Sequence, residues 1–356
     1  MKYPEILPFN QALARLSSFD CIIDVRSPSE FAEDCIPNAI NCPVLDDEER
    51  IRIGTMYKQV SSFEAKKLGA ALVAKNIARH IETLFLDKPK GWTPLVYCWR
   101  GGNRSGSIAH ILAKIGWPVA QLEGGYKAYR QHVNTSLPAI ASQLRWQVIC
   151  GTTGSGKSRL LQTLAKQGEQ VLDLEQLAAH RGSVLGHLPQ QAQPSQKLFE
   201  SRIWQLLQTV DSTRPVYVEA ESKKVGNVRV PESIMDKMRA SPCIALQLTV
   251  ENRVKLLMEE YKHFVQQPTD LNRQLDCLTH LHGKEKIDHW KQMANAGEMA
   301  ILVRELLEQH YDPAYIKSIN RNFIQSANAL NIEQADITPT DFKNSAVYIA
   351  KQIALI

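Results

Sequence analysis

No apolar run in the 356 residues comes close to the length of about 20 that a helix needs to cross a bilayer, so no membrane-spanning helix is expected within them. Cysteine is present but never paired as CxxC, and the seven (Cys21, Cys35, Cys42, Cys98, Cys150, Cys243, Cys277) are an odd number. A disulfide framework and a structural zinc site are both disfavoured on that ground. The opening stretch MKYPEILPFNQALARL lacks the charged-then-apolar layout of a secretion signal, and the chain is expected to be cytoplasmic. Neither charge sign dominates: 42 Lys and Arg against 37 Asp and Glu leave a net +5, which permits an anionic partner without demanding one. Internal repeats and low-complexity segments are missing as well. What remains is an ordinary globular composition, 44% hydrophobic and 22% charged, in a chain long enough for two or three domains.

The apolar pattern alternates between short runs and amphipathic tracts. DCIIDV, TPLVYC and PVAQL read as buried strands, while 46–86 and SGSIAHILAKIGW repeat apolar residues at helical spacing. Pro138 to Leu144 reads as a linker, after which the pattern restarts with WQVIC, VLDL, VYVEA and CIALQLTV as strands between long helical tracts. The tail from Pro313 to Ile356 reads as mostly helical. Strands alternating with helices predict an α/β fold with parallel sheets covered on both faces.

Two Gly-rich loops follow two of these strands. In VYCWRGGNRSGS the strand delivers Cys98 to a sheet edge, and a helix is expected to begin near Ser105. Arg100 and Arg104 supply positive charge, Gly101 and Gly102 let the backbone curl, and Asn103 and Ser105 complete an anion nest around a nucleophilic thiolate. A merely buried cysteine before a tight turn would not need two arginines and two glycines within six residues. IIDVRSPSEFAEDCIPNAIN, VYCWRGGNRSGS and LEGGYKAYR, in that order, resemble the rhodanese domain over residues 8–135. One departure stands out: five residues separate Cys98 from Arg104, where many sulfurtransferases have four. The larger loop resembles that of rhodanese-fold phosphatases and would accept a tetrahedral, phosphate-like anion. A cysteine phosphatase with a nucleotide-binding domain is therefore a rival reading, weakened because the loop shows no general-acid carboxylate.

The second loop, Gly151-Thr152-Thr153-Gly154-Ser155-Gly156-Lys157-Ser158, fits G-x4-G-K-[ST] between a strand and a helix. Its amides and helix N-terminus would cradle a diphosphate, Lys157 would reach the terminal phosphate, and the Ser158 hydroxyl could hold Mg²⁺. No base-reading motif such as NKxD accompanies it, so nucleoside triphosphate hydrolysis does not follow. Glu219, at the end of VYVEA, is a candidate metal-side or catalytic carboxylate, with Glu221 two residues on and Asp173, the acid of VLDL, in a similar position. Arg181, Lys223, Lys224 and Arg229 are candidate contacts to phosphate or tRNA, although such clusters are commonly solvated faces. Tyr261, Phe264 and Trp290, interleaved with basic residues, suit base stacking or, at the same spacing, a helical core.

A rhodanese domain followed by a P-loop domain, together with LEQLAAHRGSVLGHLP, PSQKLFES and VYVEAESKKVGN, resembles the bacterial tRNA 2-selenouridine synthase family over essentially the whole chain. The resemblance implies an enzyme that acts on wobble 2-thiouridine in tRNA. The sulfur is alkylated by geranyl diphosphate, and selenium from selenophosphate then replaces the geranylthio group to give 2-selenouridine. Cys98 then serves either as a perselenide carrier or as a group assisting transfer; both remain open. The expected organisation is a rhodanese-like domain at 1–137, a linker at 138–145, a P-loop α/β domain at 146–312 and a helical extension at 313–356. No tightly bound cofactor is expected beyond Mg²⁺, the co-substrates are the two anions, and selenophosphate synthetase is the expected supplier of one of them. A non-catalytic adaptor is a third reading, disfavoured by the intact Cys98 and P-loop.

Overall fold

Two short stretches, PLVY at Pro94–Tyr97 and RWQVIC at Arg145–Cys150, are buried along their whole length except for Arg145, the second including the polar Gln147. Continuous rather than alternating burial marks a strand inside a parallel sheet covered on both faces. In the computed structural model each run is the middle strand of its own five-stranded parallel sheet. The structure describes residues 3–183, 185–188 and 191–355; Val184 and Pro189 of the HRGSVLGHLP stretch lie outside the described residues. The chain divides into two compact units, Met1–Leu137 with Glu200–Gln205, and Pro138–Phe199 with Leu206–Ile356.

The first unit holds β1 (Glu5–Leu7), β2 (Cys21–Asp24), β3 (Ala39–Asn41), β4 (Pro94–Tyr97) and β5 (Ala120–Leu122), in the order β1-β5-β4-β2-β3. The 46–86 stretch forms helices Asp47–Gln59 and Ser62–His80, continued by a wider turn at Ile81–Phe85. Ile108, Ala109, Leu112 and Ala113 line the buried face of the helix Asn103–Ile115 and pack against Ile23 and Val96 of the sheet. The DVR triplet at the end of β2 is a buried device. Arg26 bonds Asp24 at 2.6 Å and the Asp34 carbonyl at 2.6 Å, and its guanidinium lies 3.9 Å from the centre of the Tyr126 ring. Removing one partner of such a buried pair typically costs about 3–5 kcal/mol.

Residues 138–145 do not form the expected linker. The helix Gly125–Gln143 runs through Pro138, and the Trp146 indole donates to the Ala141 carbonyl at 2.9 Å. Burial of Ala141 and this bond hold the last turn in place, offsetting the hydrogen bond that a mid-helix proline removes.

The second unit holds β6 (Arg145–Cys150), β7 (Gln170–Leu172), β8 (Pro215–Glu219), the hairpin β9 (Lys224–Val225) and β10 (Val228–Arg229), then β11 (Cys243–Gln247) and β12 (Leu330–Glu333). Its sheet order is β12-β11-β6-β8-β7, so β6 is bonded directly to β8. The tail is mostly helical, as expected, but it also carries β12, the edge strand of this sheet. Phe342, Ala346, Ile349 and Ile353 of its last helix, Pro339–Ala354, share a core with Leu160, Leu161 and Leu164. Between β11 and β12 a run of helices buries its own cluster around Trp290, Leu302 and Leu275. No helix among the described residues is long and apolar enough to cross a membrane.

Candidate active site

Cys98 leaves β4 at the carboxyl edge of the first sheet with its side chain buried. The following helix begins at Asn103 with Gly102 as its N-cap, two residues earlier than Ser105, so Arg104 and Ser105 lie in its first turn. The Ser105 hydroxyl lies 3.3 Å from the Cys98 Sγ and 3.2 Å from the Gly102 carbonyl, and it accepts from the Gln121 amide at 3.1 Å. Because Gln121 fills its acceptor side, the hydroxyl's proton is left for the sulfur or the carbonyl. Burial alone would push the Cys98 thiol up. Hydrogen bonds from the Ser105 hydroxyl and from the amides of Ser105 and Arg100, with the Arg104 charge, outweigh it and leave the thiol below its ordinary value.

Arg104 is not a free cation. Its Nη1 bonds Glu30 at 2.7 Å. Burial pushes the Glu30 carboxyl up, but the Arg104 bond and charge, the Ser27 amide and Arg50 hold it below the usual range. Arg100, Gly102 and Asn103 are exposed at the mouth. Gly101 has φ +67°, and a Cβ there would fall 2.3 Å from the Leu122 carbonyl, so the loop can lie against β5 only without a side chain. Sequence reasoning did not find Gln121 or Glu30, because neither belongs to the loop and only folding brings them to it.

The second loop follows β6 directly. Lys157 opens the helix Lys157–Lys166, and its Nζ bonds the Gly151 carbonyl at 2.6 Å and the Thr152 carbonyl at 3.4 Å. The Gly151 amide donates to the Tyr315 hydroxyl at 2.6 Å. Arg253, buried, donates to the Thr153 carbonyl at 2.8 Å and forms a two-pronged pair with Asp312 at 2.9 and 2.6 Å, bracing the loop from outside. Tyr315 and Arg253 carry no local motif and were not legible as loop partners.

Beside Ser158 lies a group of carboxylates. The Ser158 hydroxyl donates to Glu175 Oε2 at 3.0 Å, and the Glu175 amide donates to Glu219 Oε1 at 3.0 Å. Glu219 Oε2 is buried without a partner. Burial, then Asp173, Glu175 and Glu221, push Glu219 far up; burial, then Glu221, push Glu175 up to about 8. Burial likewise raises Glu221 and Asp173. Asp173 also caps the helix Leu174–Ala178, accepting from the Gln176 amide at 2.8 Å. A Cβ on Gly182 would fall 2.4 Å from Glu221 Oε1 and 2.9 Å from Glu175 Oε1, so the 180–183 loop lies directly on these acids. Glu175 was missed at the sequence level; it stands in the LEQLAAHRG stretch but matches no acid motif.

No group of three His, Cys, Asp or Glu among the described residues forms a metal cage. Mg²⁺ does not require one, since it is held through one or two carboxylates, several waters and substrate phosphate. Ser158, Glu175 and the orphaned oxygen of Glu219 fit that mode.

The remaining candidates are scattered. Arg181 stacks 4.5 Å from the Tyr261 ring centre and lies 3.9 Å from Glu260. Lys223 pairs with Glu232, while Lys224 and Arg229, both exposed, face one another across a hairpin whose Val225 and Val228 are buried. Of the two readings of the interleaved aromatics, the structure shows the helical core: Trp290 and Phe264 are buried in it, and Tyr261 stacks on Phe264. Helical spacing placed them inward, where they bury more apolar area than a surface position allows.

Comparison with known proteins joins the two halves. Residues 9–132 match the rhodanese-like domain family, and residues 144–284 match the family described as the tRNA 2-selenouridine synthase AAA domain. A tRNA 2-selenouridine synthase of Sulfurovum sp. is 30% identical over 85% of this chain and 89% of its own. One from Alcanivorax borkumensis is 32% identical over 84% and 90%, and one from Nitrosomonas europaea 36% identical over 67% and 63%. The N-terminal domain of a protein described as a putative ATP/GTP binding protein from Clostridium difficile, a solved structure, is 38% identical over 36% of this chain and 98% of its own, with a TM-score of 0.31.

Proposed function

The chain belongs to the tRNA 2-selenouridine synthase family, and from that premise we propose that it converts wobble 2-thiouridine of tRNA to 2-selenouridine in two steps, one at each loop. At the P-loop, the amides of Gly151–Ser158 and the helix N-terminus bind the diphosphate of geranyl diphosphate. The uridine sulfur attacks the first geranyl carbon, the C–S bond forms as the C–O bond breaks, and Lys157 takes up the charge of the departing diphosphate. Mg²⁺ at Ser158, with Glu175 and Glu219, would add positive charge to the same leaving group. At the cysteine loop, selenophosphate enters the anion nest of Arg100, Gly101, Gly102, Asn103, Arg104 and Ser105. Selenium then replaces the geranylthio group, which leaves as the thiol, and water carries off the phosphoryl group. Cys98 assists this transfer as a thiolate; carrying the selenium as a perselenide would require a two-electron oxidant, because selenophosphate selenium is at the selenide level. Selenophosphate synthetase is the proposed supplier, and Arg181, Lys223, Lys224 and Arg229 remain proposed contacts to tRNA or phosphate.

The observation that carries this reading is the pairing, in one chain, of a thiol held below its ordinary pKa in an anion nest with a P-loop that has no base-reading motif. The phosphatase reading loses support because Glu30, the carboxylate bonded to the loop arginine, is held below the usual carboxylate range, the opposite of what a general acid needs. The test is mass spectrometry of nucleosides from 2-thiouridine tRNA incubated with geranyl diphosphate and selenophosphate, singly and together. Cys98→Ala is expected to accumulate the geranylated nucleoside and form no 2-selenouridine. Loss of both products in that variant would refute the division between loops, and unchanged 2-thiouridine with wild-type protein would refute the activity.

A further inference from the structure

Against the outer side of the P-loop lies a cavity whose walls are almost wholly apolar. It is a narrow slot, with about 60 Å³ of room between its walls. Thr153 of the P-loop stands at one wall and Ser183, next to the glycine that lies on the carboxylates, at another. Leu257 and Met258 of the helix Val250–Glu260, and Leu302 and Val303 of the helix Met299–Leu306, supply the body. The polar atoms at its edge are mutually engaged, with the Tyr261 and Tyr311 hydroxyls both bonded to Ser183. A nucleobase would leave its donors and acceptors unpaired in such a space, at a cost of about 1–3 kcal/mol each.

We propose that this cavity seats the aliphatic tail of the diphosphate ester held by the P-loop, and that the Val303 and Met258 side chains set the tail length it accepts. The inference rests on the reading of the P-loop given above and adds to it where the tail lies and which residues measure it. The cavity explains how a phosphate loop without base-reading residues selects its ligand: the diphosphate anchors on Lys157 and the loop amides, and the wall behind Thr153 rejects polar groups. A single methylene too many or too few in such a pocket changes affinity roughly 10–200-fold.

Calorimetric titration of the full chain in Mg²⁺ with inorganic diphosphate, dimethylallyl diphosphate, geranyl diphosphate and farnesyl diphosphate tests this. Geranyl diphosphate is expected to bind at least about tenfold tighter than inorganic diphosphate to the wild type. Val303→Trp should abolish that gain while leaving inorganic diphosphate binding unchanged. Met258→Ala should move the preference from geranyl toward farnesyl, and it decides the matter if the tryptophan variant does not fold. Equal affinity for diphosphate with and without a tail, or an unchanged length preference in both variants, would overturn the tail site while leaving the P-loop reading intact. Failure of the wild type to bind any diphosphate, or full binding by Lys157→Ala, would remove the P-loop reading and the tail site with it.

Discussion

The two loops are built to one plan and charged in opposite ways. Each follows the middle strand of a five-stranded parallel sheet and ends at a helix N-terminus, with glycines where the backbone must turn. The cysteine loop meets one carboxylate, Glu30, bonded to Arg104, and its amides and hydroxyl favour the thiolate. The P-loop meets Asp173, Glu175, Glu219 and Glu221, and burial together with mutual repulsion favours their neutral forms. The first nest therefore stabilises an anion that the chain itself provides. The second holds excess acid that a bound cation would ionise, which makes it dependent on what it binds.

The sharpest way to break the comparison is to remove the cation of one loop only. Lys157→Ala is expected to lower the rate of geranylation by about 10²–10³-fold, as for loss of one preorganised charge at a leaving group. Selenium insertion into tRNA already geranylated should proceed at the wild-type rate. Nucleoside mass spectrometry on both substrates measures the two rates separately.

Next in size is a backbone effect confined to the first unit. Gly101→Ala forces a Cβ to within 2.3 Å of the Leu122 carbonyl at φ +67°. We expect a loss of about 2–4 kcal/mol in denaturant unfolding of the full chain, with diphosphate binding retained.

Removing the hydroxyl that faces the sulfur is a milder change. In Ser105→Ala the thiolate loses its side-chain donor, so the midpoint of Cys98 alkylation by iodoacetamide should move to higher pH. The rate at pH 7 should fall by roughly tenfold, the worth of one hydrogen bond to a charged group. An unchanged midpoint would mean that the loop amides alone hold the thiolate.

The smallest effect distinguishes the acid nest. Glu175 has its folded-state pKa raised from the model-compound value 4.5 to about 8, so the folded protein binds the proton more tightly than the unfolded chain. That contribution to stability is fully present below pH 4.5 and is lost as pH rises toward about 8. Thermal unfolding should show stability declining over that window. Glu175→Gln should flatten the decline, and Mg²⁺ with diphosphate should reverse it; a wild-type stability that rises across the window would contradict the account.

Much of this molecule could be read before it was seen folded. Continuous apolar runs placed the central strands, and the local order strand, glycine loop, helix located Cys98 and Lys157, because a phosphate or thiolate nest is made by neighbours in the chain. The helical tract at 46–86 followed from its periodicity. The expected linker was misread, because Pro138 resembles a break until burial of Ala141 and the Trp146 bond hold the helix together. Strand β12 was missed, because four residues with one buried Ile332 carry little signal until β11 lies beside them.

What the amino-acid order determined alone is the local machinery: two parallel α/β units, two nests and the residues inside each. Tertiary structure decided what surrounds the nests. Gln121 orients Ser105 toward the sulfur from 16 residues away, and Glu30 holds Arg104 from 74. Glu175 and Glu219 meet across 44 residues, and Arg253 reaches Thr153 across 100. Each is a contact between side chains or backbone groups on different elements, and no local pattern records it. The charge of a site, and therefore its chemistry, is set by such long-range neighbours, because burial and Coulomb forces act through space rather than along the chain.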